Sequence, residues 1–234
     1  MTIAHISDLH FGRIADSGVV EALLDEINAA GIDLVAVSGD LTQRARPAEY
    51  RAARNLLDAL GPPTLVVAGN HDVYPWWRPL KRLRTPLERY KQFITEDLAP
   101  TFEAGGVAAL GLTSAYGPSI KGGRIGPADR AAMRAFFSGT GDDRFKVLVV
   151  HHQLHPTAIG PISPHPVARQ AQQTLAVAGE AGTALTPCRV PHIAPTHPLQ
   201  LPPAPRRITA PPAATHASHP QPEPPGPATP PHTG

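Results

Sequence analysis

Three short apolar runs, each ending in a polar cluster, recur at even intervals in the first part of the chain and constrain what it can fold into. Ile3-Ala4-His5-Ile6 runs into Ser7-Asp8-Leu9-His10, Leu34-Val35-Ala36-Val37 into Ser38-Gly39-Asp40, and Thr64-Leu65-Val66-Val67-Ala68 into Gly69-Asn70-His71-Asp72. Runs this short and β-branched, bounded by glycine or proline, read as buried strands. Their spacing of roughly 30 residues is the length of a strand, a crossover helix and a parallel strand. The three clusters are therefore expected along one edge of one parallel sheet, beyond the strand carboxyl ends, where open α/β sheets bind ligands.

The intervening segments fit that plan. Val20, Leu23, Leu24 and Ile27 recur at helical spacing, with Asp16 or Ser17 as N-cap and Gly31 just past the end. Tyr50, Ala53, Leu57 and Leu60 mark a second crossover helix that starts at Pro47 and stops at Gly61-Pro62. Residues 73–86 interleave Trp76 and Trp77 with Arg78, Lys81, Arg82 and Arg84. Such a stretch can line the approach of an anionic substrate or stack on bases. The plainer reading, a surface loop whose tryptophans pack on the domain, is preferred. Leu87 to Leu98 reads as a helix, Phe102 to Thr113 as two short strands, and Pro127 starts a helix with Met133, Phe136 and Phe137 inward. Phe145 to Val150 is another buried strand, ending in His151-His152.

Composition divides the chain. Most of the 29 prolines follow Pro187, and no Asp occurs after Asp143. The expected organisation is one α/β domain over 1–181 and a Pro/Ala/His-rich tail over 182–234, disordered because it holds too few large apolar residues to offset its ordering entropy. The single Cys188 forms no internal disulfide, no apolar leader opens the chain, and no run approaches the ~20 residues needed to span a bilayer. A cytoplasmic protein without a membrane partner is expected. A net charge of +2 argues against nucleic acid.

Asp, His, Asp, Asn and His delivered to one sheet edge are oxygen and imidazole donors that suit Mn, Fe or Zn in a two-metal site. Asp40 can bridge both ions, because a carboxylate has two oxygens and such ions stand ~3.5–4 Å apart. A bridging hydroxide also relieves the repulsion between the cations, and it is a nucleophile near neutral pH.

Asp8-x-His10, Gly39-Asp40 and Gly69-Asn70-His71-Asp72, followed by the strand-ending His151, resemble the calcineurin-like metallophosphoesterases. The opening stretch from Ala4 to Gly12 is most similar to bacterial class III cyclic-nucleotide phosphodiesterase-like proteins. The resemblance covers about Met1 to Pro156, and its four motifs are specific as an ordered set. It implies a four-layer α/β/β/α sandwich, with Phe102 to Thr113 in the second sheet. It makes Asp8 and His10 ligands of the first metal, Asp40 the bridge, and Asn70 and His151 ligands of the second. His71 would stand with Asn70 at the substrate, beside the leaving group, as an acid or orienting residue. His152 rivals His151, since adjacent strand residues point opposite ways. His5 is expected to face the sheet, and Asp72 to serve a turn or a cap.

The implied function is hydrolysis of a small phosphodiester, cyclic-nucleotide type favoured, or of a phosphomonoester. Gly39-Asp40-Leu41-Thr42-Gln43-Arg44 lacks the Gly-Asp-x-x-Asp-Arg of Ser/Thr phosphatases. His71 stands where the lipid A pathway pyrophosphohydrolases typically have Arg. One part of the family pattern is missing: no Gly-His-x-His, which would add one histidine to each metal, occurs in the sequence. No convincing strand is expected at 182–187 to precede it, and His192, His197, His216 and His219 all lie among prolines. The tail has the composition of GC-rich coding read out of frame from around Ala171 to Thr186. The sandwich is thus expected to be C-terminally incomplete, with weak metal binding and low activity. The alternative is a non-catalytic relic or metal-binding interaction module, which would hold one ion or none where the enzyme holds two.

Overall fold

A computed structural model describes residues 1–14, 18–155, 167–185 and 199–200. The first half runs β1 (Thr2–Ile6), α1 (Gly18–Ala29), β2 (Leu34–Ser38), α2 (Pro47–Ala59), β3 (Thr64–Val67), α3 (Pro79–Arg84) and α4 (Glu88–Phe93). The second runs β4 (Thr101–Ala104), β5 (Val107–Leu112), α5 (Pro127–Gly139), β6 (Phe145–Val150), α6 (Ala171–Glu180), β7 (Ala184–Leu185) and β8 (Leu199–Gln200). The three motif strands pair in parallel in the order β3-β2-β1, and β8 adds antiparallel to β1. The second sheet has the order β4-β5-β6-β7, antiparallel at β4–β5 and parallel from β5 to β7.

The layers follow from the two-residue side-chain period of a strand. In β2, Val35 and Val37 join Ile27 of α1 and Tyr50, Leu56 and Leu57 of α2. Leu34 and Ala36 point the other way, meeting Val107, Ala109, Val147 and Val149 of the second sheet. Covered on both faces, β2 is buried at every position and reads in sequence as a continuous apolar run. Leu110, Leu112, Leu148 and Val150 turn from the seam toward Met133 and Phe137 of α5 and Val177 and Ala178 of α6. The order is helix, sheet, sheet, helix, the four-layer sandwich that the family resemblance implies.

Several local expectations are adjusted. The helix expected over 87–98 is only Glu88–Phe93. The basic, aromatic stretch contains the short α3, which begins at Pro79. At 182–187, where no strand is expected, Ala184 and Leu185 pair in parallel with Val147 and Leu148 and extend the second sheet. The N-cap candidates Asp16 and Ser17, Cys188, the four tail histidines and nearly all of the proline-rich segment lie outside the described residues.

Gly111 sits where the two sheets meet. A Cβ there would lie 2.6 Å from Val67 Cγ1 and 2.8 Å from Leu65 Cδ2. Its requirement is steric, because these neighbours belong to the core of the opposing sheet. Gly111→Ala is expected to lower stability by about 1–3 kcal/mol through overpacking, read as a lower urea midpoint with an unchanged slope.

Candidate metal centre

The loops after β1 and β2 are zipped together beyond the strands. Asp8 N donates to Gly39 O at 3.1 Å, His10 N to Asp40 O at 2.9 Å and Phe11 N to Leu41 O at 2.9 Å. This ladder holds Asp8, His10 and Asp40 at φ values of 56°, 47° and 55°. That left-handed region is rarely adopted by residues with a Cβ, and three such residues at one spot mark a site whose backbone geometry is imposed by its surroundings. Gly39, at φ 85°, lies against the backbone of Gly69. A Cβ on Gly69 would collide with the Asp40 carboxylate, so the third loop can settle onto Asp40 only with glycine there. His71 N then donates to Asp40 Oδ1 at 2.8 Å.

Asp72 fastens these loops. Its Oδ2 accepts from Leu41 N at 3.2 Å and Gly69 N at 2.9 Å. Its Oδ1 accepts from Thr42 N at 2.9 Å and Thr42 Oγ1 at 3.0 Å. Tyr50, from α2, donates its hydroxyl to the Asp72 carbonyl. Burial, then the charge of Asp40, hold the Asp72 carboxyl above its ordinary range, against the hydrogen bonds donated to it. Asp72 is thus a capping residue set behind the cluster.

The cluster assembles side chains from both sheets. His10 Nε2 lies 3.5 Å from Asp8 Oδ1 and 3.8 Å from Asp40 Oδ2. His151, at the end of β6, reaches across the seam and donates from Nδ1 to Ser38 O at 2.7 Å. Since a carbonyl only accepts, that contact places a proton on Nδ1 and turns Nε2 inward. Nε2 stands 3.2 Å from Asn70 Oδ1 and 3.4 Å from Asp40 Oδ1. His71 is oriented in the same way, with Nδ1 donating to Gln43 O at 2.8 Å, and its ring meets that of His10 edge-on. His152 turns aside to Ser114 Oγ at 2.8 Å, and His5 to Ser38 Oγ at 2.7 Å. Asp8, His10, Asp40, Asn70, His71 and His151 all meet in one place.

The donor set fits divalent cations. Asp40 is fully buried, and its Oδ2 accepts no hydrogen bond among the described residues. Burial opposes its charge, but His151, together with His71 and its amide, outweighs that and holds the carboxyl well below the usual range. Burial likewise disfavours charge on His151 and His10. The Asp40 and Asp8 carboxylates overcome it and raise both imidazoles. Asp40 thus stays charged where the solvent does not reach it, beside His151, whose second nitrogen is oriented from behind by Ser38 O. The ligand atoms of His10, Asp40 and His71 fall within 4.8 Å of one another.

A cleft of about 380 Å³ opens onto the centre, lined by Asp8, Leu9, His10, Arg13 and Ile14. Arg13 and Ile14 are site residues that motif reading missed, since neither residue type marks chemistry by itself. The carbonyls of Ser38 and Gln43 were also invisible in the sequence, because any residue supplies a carbonyl.

Residues 1–177 match the family model described as calcineurin-like phosphoesterase. The chain is 38% identical over 85 residues to the glycerophosphodiester phosphodiesterase GpdQ of Enterobacter lignolyticus, a match covering 31% of this chain and 30% of that protein. It is 35% identical over 80 residues to a probable cyclic nucleotide phosphodiesterase of Synechococcus sp., covering 31% of each. The chain therefore spans under a third of the length of these curated relatives. A dimetal phosphatase from Danio rerio superposes with a TM-score of 0.53 at 17% identity, covering 78% of both chains, a likeness of fold.

Asp72→Ala strips the acceptor from the amides of Leu41, Thr42 and Gly69. At ~1–3 kcal/mol for each buried unsatisfied donor, it is expected to cost at least about 3 kcal/mol, measured by chemical denaturation of the metal-free protein.

Proposed function

The chain belongs to the calcineurin-like phosphoesterase family, and from that premise we propose that it is a metal-dependent phosphohydrolase acting on a small phosphodiester, cyclic nucleotides being the favoured type. The names of its relatives, a glycerophosphodiester phosphodiesterase and a probable cyclic nucleotide phosphodiesterase, support a diester. One observation carries the two-ion reading: the two oxygens of buried Asp40 serve different halves of the cluster. Oδ2 is on the side of His10, at 3.8 Å, and Oδ1 on the side of His151, at 3.4 Å. Asp8 and His10 would then hold one ion, Asn70 and His151 the other, and Asp40 both, with Mn, Fe or Zn as the metals that suit such donors.

When bound, such ions supply positive charge to the phosphate oxygens and acidify water for in-line attack. The chain's own groups do the rest. Asp40 sets the separation of the two half-sites through its two oxygens, and Ser38 O holds the His151 ring in place. Gln43 O fixes His71 so that its Nε2 is the nitrogen left to serve the leaving oxygen. Asn70 divides its role between metal and substrate. Without a Gly-His-x-His in this sequence, each ion would have one imidazole fewer than the family pattern supplies, and metal affinity, turnover and metal-linked stability would be lower.

Manganese is expected to raise the thermal midpoint of the purified chain, and Asp40→Ala to remove that rise. Failure of either would overturn the metal site. Hydrolysis of bis(p-nitrophenyl) phosphate should be manganese-dependent but slow, and a rate typical of an efficient phosphodiesterase would overturn the reduced activity. His71→Asn should lower kcat by ~10²-fold, as loss of a proton donor does, while preserving the manganese-induced stabilisation; loss of that stabilisation would make His71 a ligand.

A further inference from the structure

The plainer reading of residues 73–86 placed the tryptophans against the domain, and the structure places them outside it. Five of the seven exposed large apolar side chains among the described residues gather here: Trp76 (66% exposed), Trp77 (44%), Leu80 (69%), Leu83 (61%) and Ile120 (61%). The patch is built on a fixed base. The two indole centroids are 5.8 Å apart. Arg82, buried between Leu80 and Leu83, donates to the carbonyls of Tyr74 and Ser119, which ties α3 to the loop carrying Ile120. Gly117 packs so tightly on the Arg82 carbonyl that a Cβ would not fit there.

Within the two segments that form this surface the charge has one sign. Neither 73–87 nor 114–128 contains an Asp or Glu, whereas Arg78, Lys81, Arg84, Lys121 and Arg124 are exposed. Among the described residues only Lys81 of these cations has an acidic partner, Glu88 at 2.7 Å. Exposed aliphatic and indole side chains inside a basic rim are the composition of an interfacial membrane contact, with tryptophan at headgroup level and the cations on lipid phosphates.

We infer that this face docks peripherally on an anionic lipid bilayer. Three features together select that occupant. Nucleic acid would stack on Trp76 and Trp77 but leave Leu80, Leu83 and Ile120 without apolar partners. A second copy of the same face would press one basic rim against another. A bilayer receives both the aliphatic tips and the arginines. No described helix is long and apolar enough to cross a membrane, and interfacial docking requires none. The patch also adjoins the metal centre: the Arg44 guanidinium lies 5.4 Å from the Trp77 ring, and the neighbouring Gln43 carbonyl is the one that orients His71.

The test is co-sedimentation of the full chain with phosphatidylcholine vesicles, with and without phosphatidylglycerol, together with tryptophan emission; it needs no catalytic turnover. Binding is expected only with phosphatidylglycerol, with a blue shift and loss at high salt. Leu80→Ser combined with Leu83→Ser should weaken binding about tenfold or more, as should Arg78→Glu combined with Arg84→Glu, both with unchanged thermal midpoints because these side chains are exposed. Absence of vesicle binding would overturn the inference. So would full retention in the serine variant, which would locate binding elsewhere on the chain, or binding of single-stranded DNA in place of vesicles, which would make this a nucleic-acid surface.

Discussion

The loops of the candidate metal centre depend on one buried carboxylate set behind it. Asp72 gathers amides from the loop after β2 and from the start of its own turn, and so fixes the second and third loops relative to each other. The first loop follows because its amides pair with the carbonyls of Gly39, Asp40 and Leu41. Backbone donors buried at strand ends must find acceptors. Here one side chain supplies them for two loops, and Tyr50 couples the same turn to α2.

That scaffold carries a load. Asp8, His10 and Asp40 occupy left-handed backbone conformations, which cost on the order of 1–3 kcal/mol each when the surroundings impose them. The carboxyls of Asp8 and Asp40 also converge on the same ring nitrogen of His10. Neither feature helps the chain fold, and both are tolerated because the loop ladder and the sheet beneath over-determine the geometry. These side chains could hold a cation, which would offset the crowding of acidic groups and so link metal affinity to stability.

The degree to which the sequence discloses this differs by level. The first sheet was legible because β2 and β3 are short apolar runs at the right spacing, and the polar clusters announced their edge. The second sheet was partly legible: β6 is as clear as β2, but β7 is two residues long and draws its pairing from β6 rather than from its own pattern. Helix α4 was overextended because the apolar spacing continues past Phe93 while the backbone does not. Within the site, residue types chosen for chemistry were visible, and adjacent histidines were not separable until the pleat of β6 was known. Tryptophan at 76 and 77 misled, because an apolar side chain in a loop says nothing about which side of the loop is wet.

The position of His151 shows how far the centre depends on the rest of the molecule. It is supplied by the second sheet, yet its ring is held by the carbonyl of Ser38 at the end of a strand in the first. Its distances to Asn70 and Asp40 are therefore set by how the two sheets stack, through Val67 and Leu65 against Gly111 and the small residues of β5. A shift along that seam moves His151 relative to its partners without disturbing either sheet internally. Core packing and the geometry of the candidate site are thus one variable.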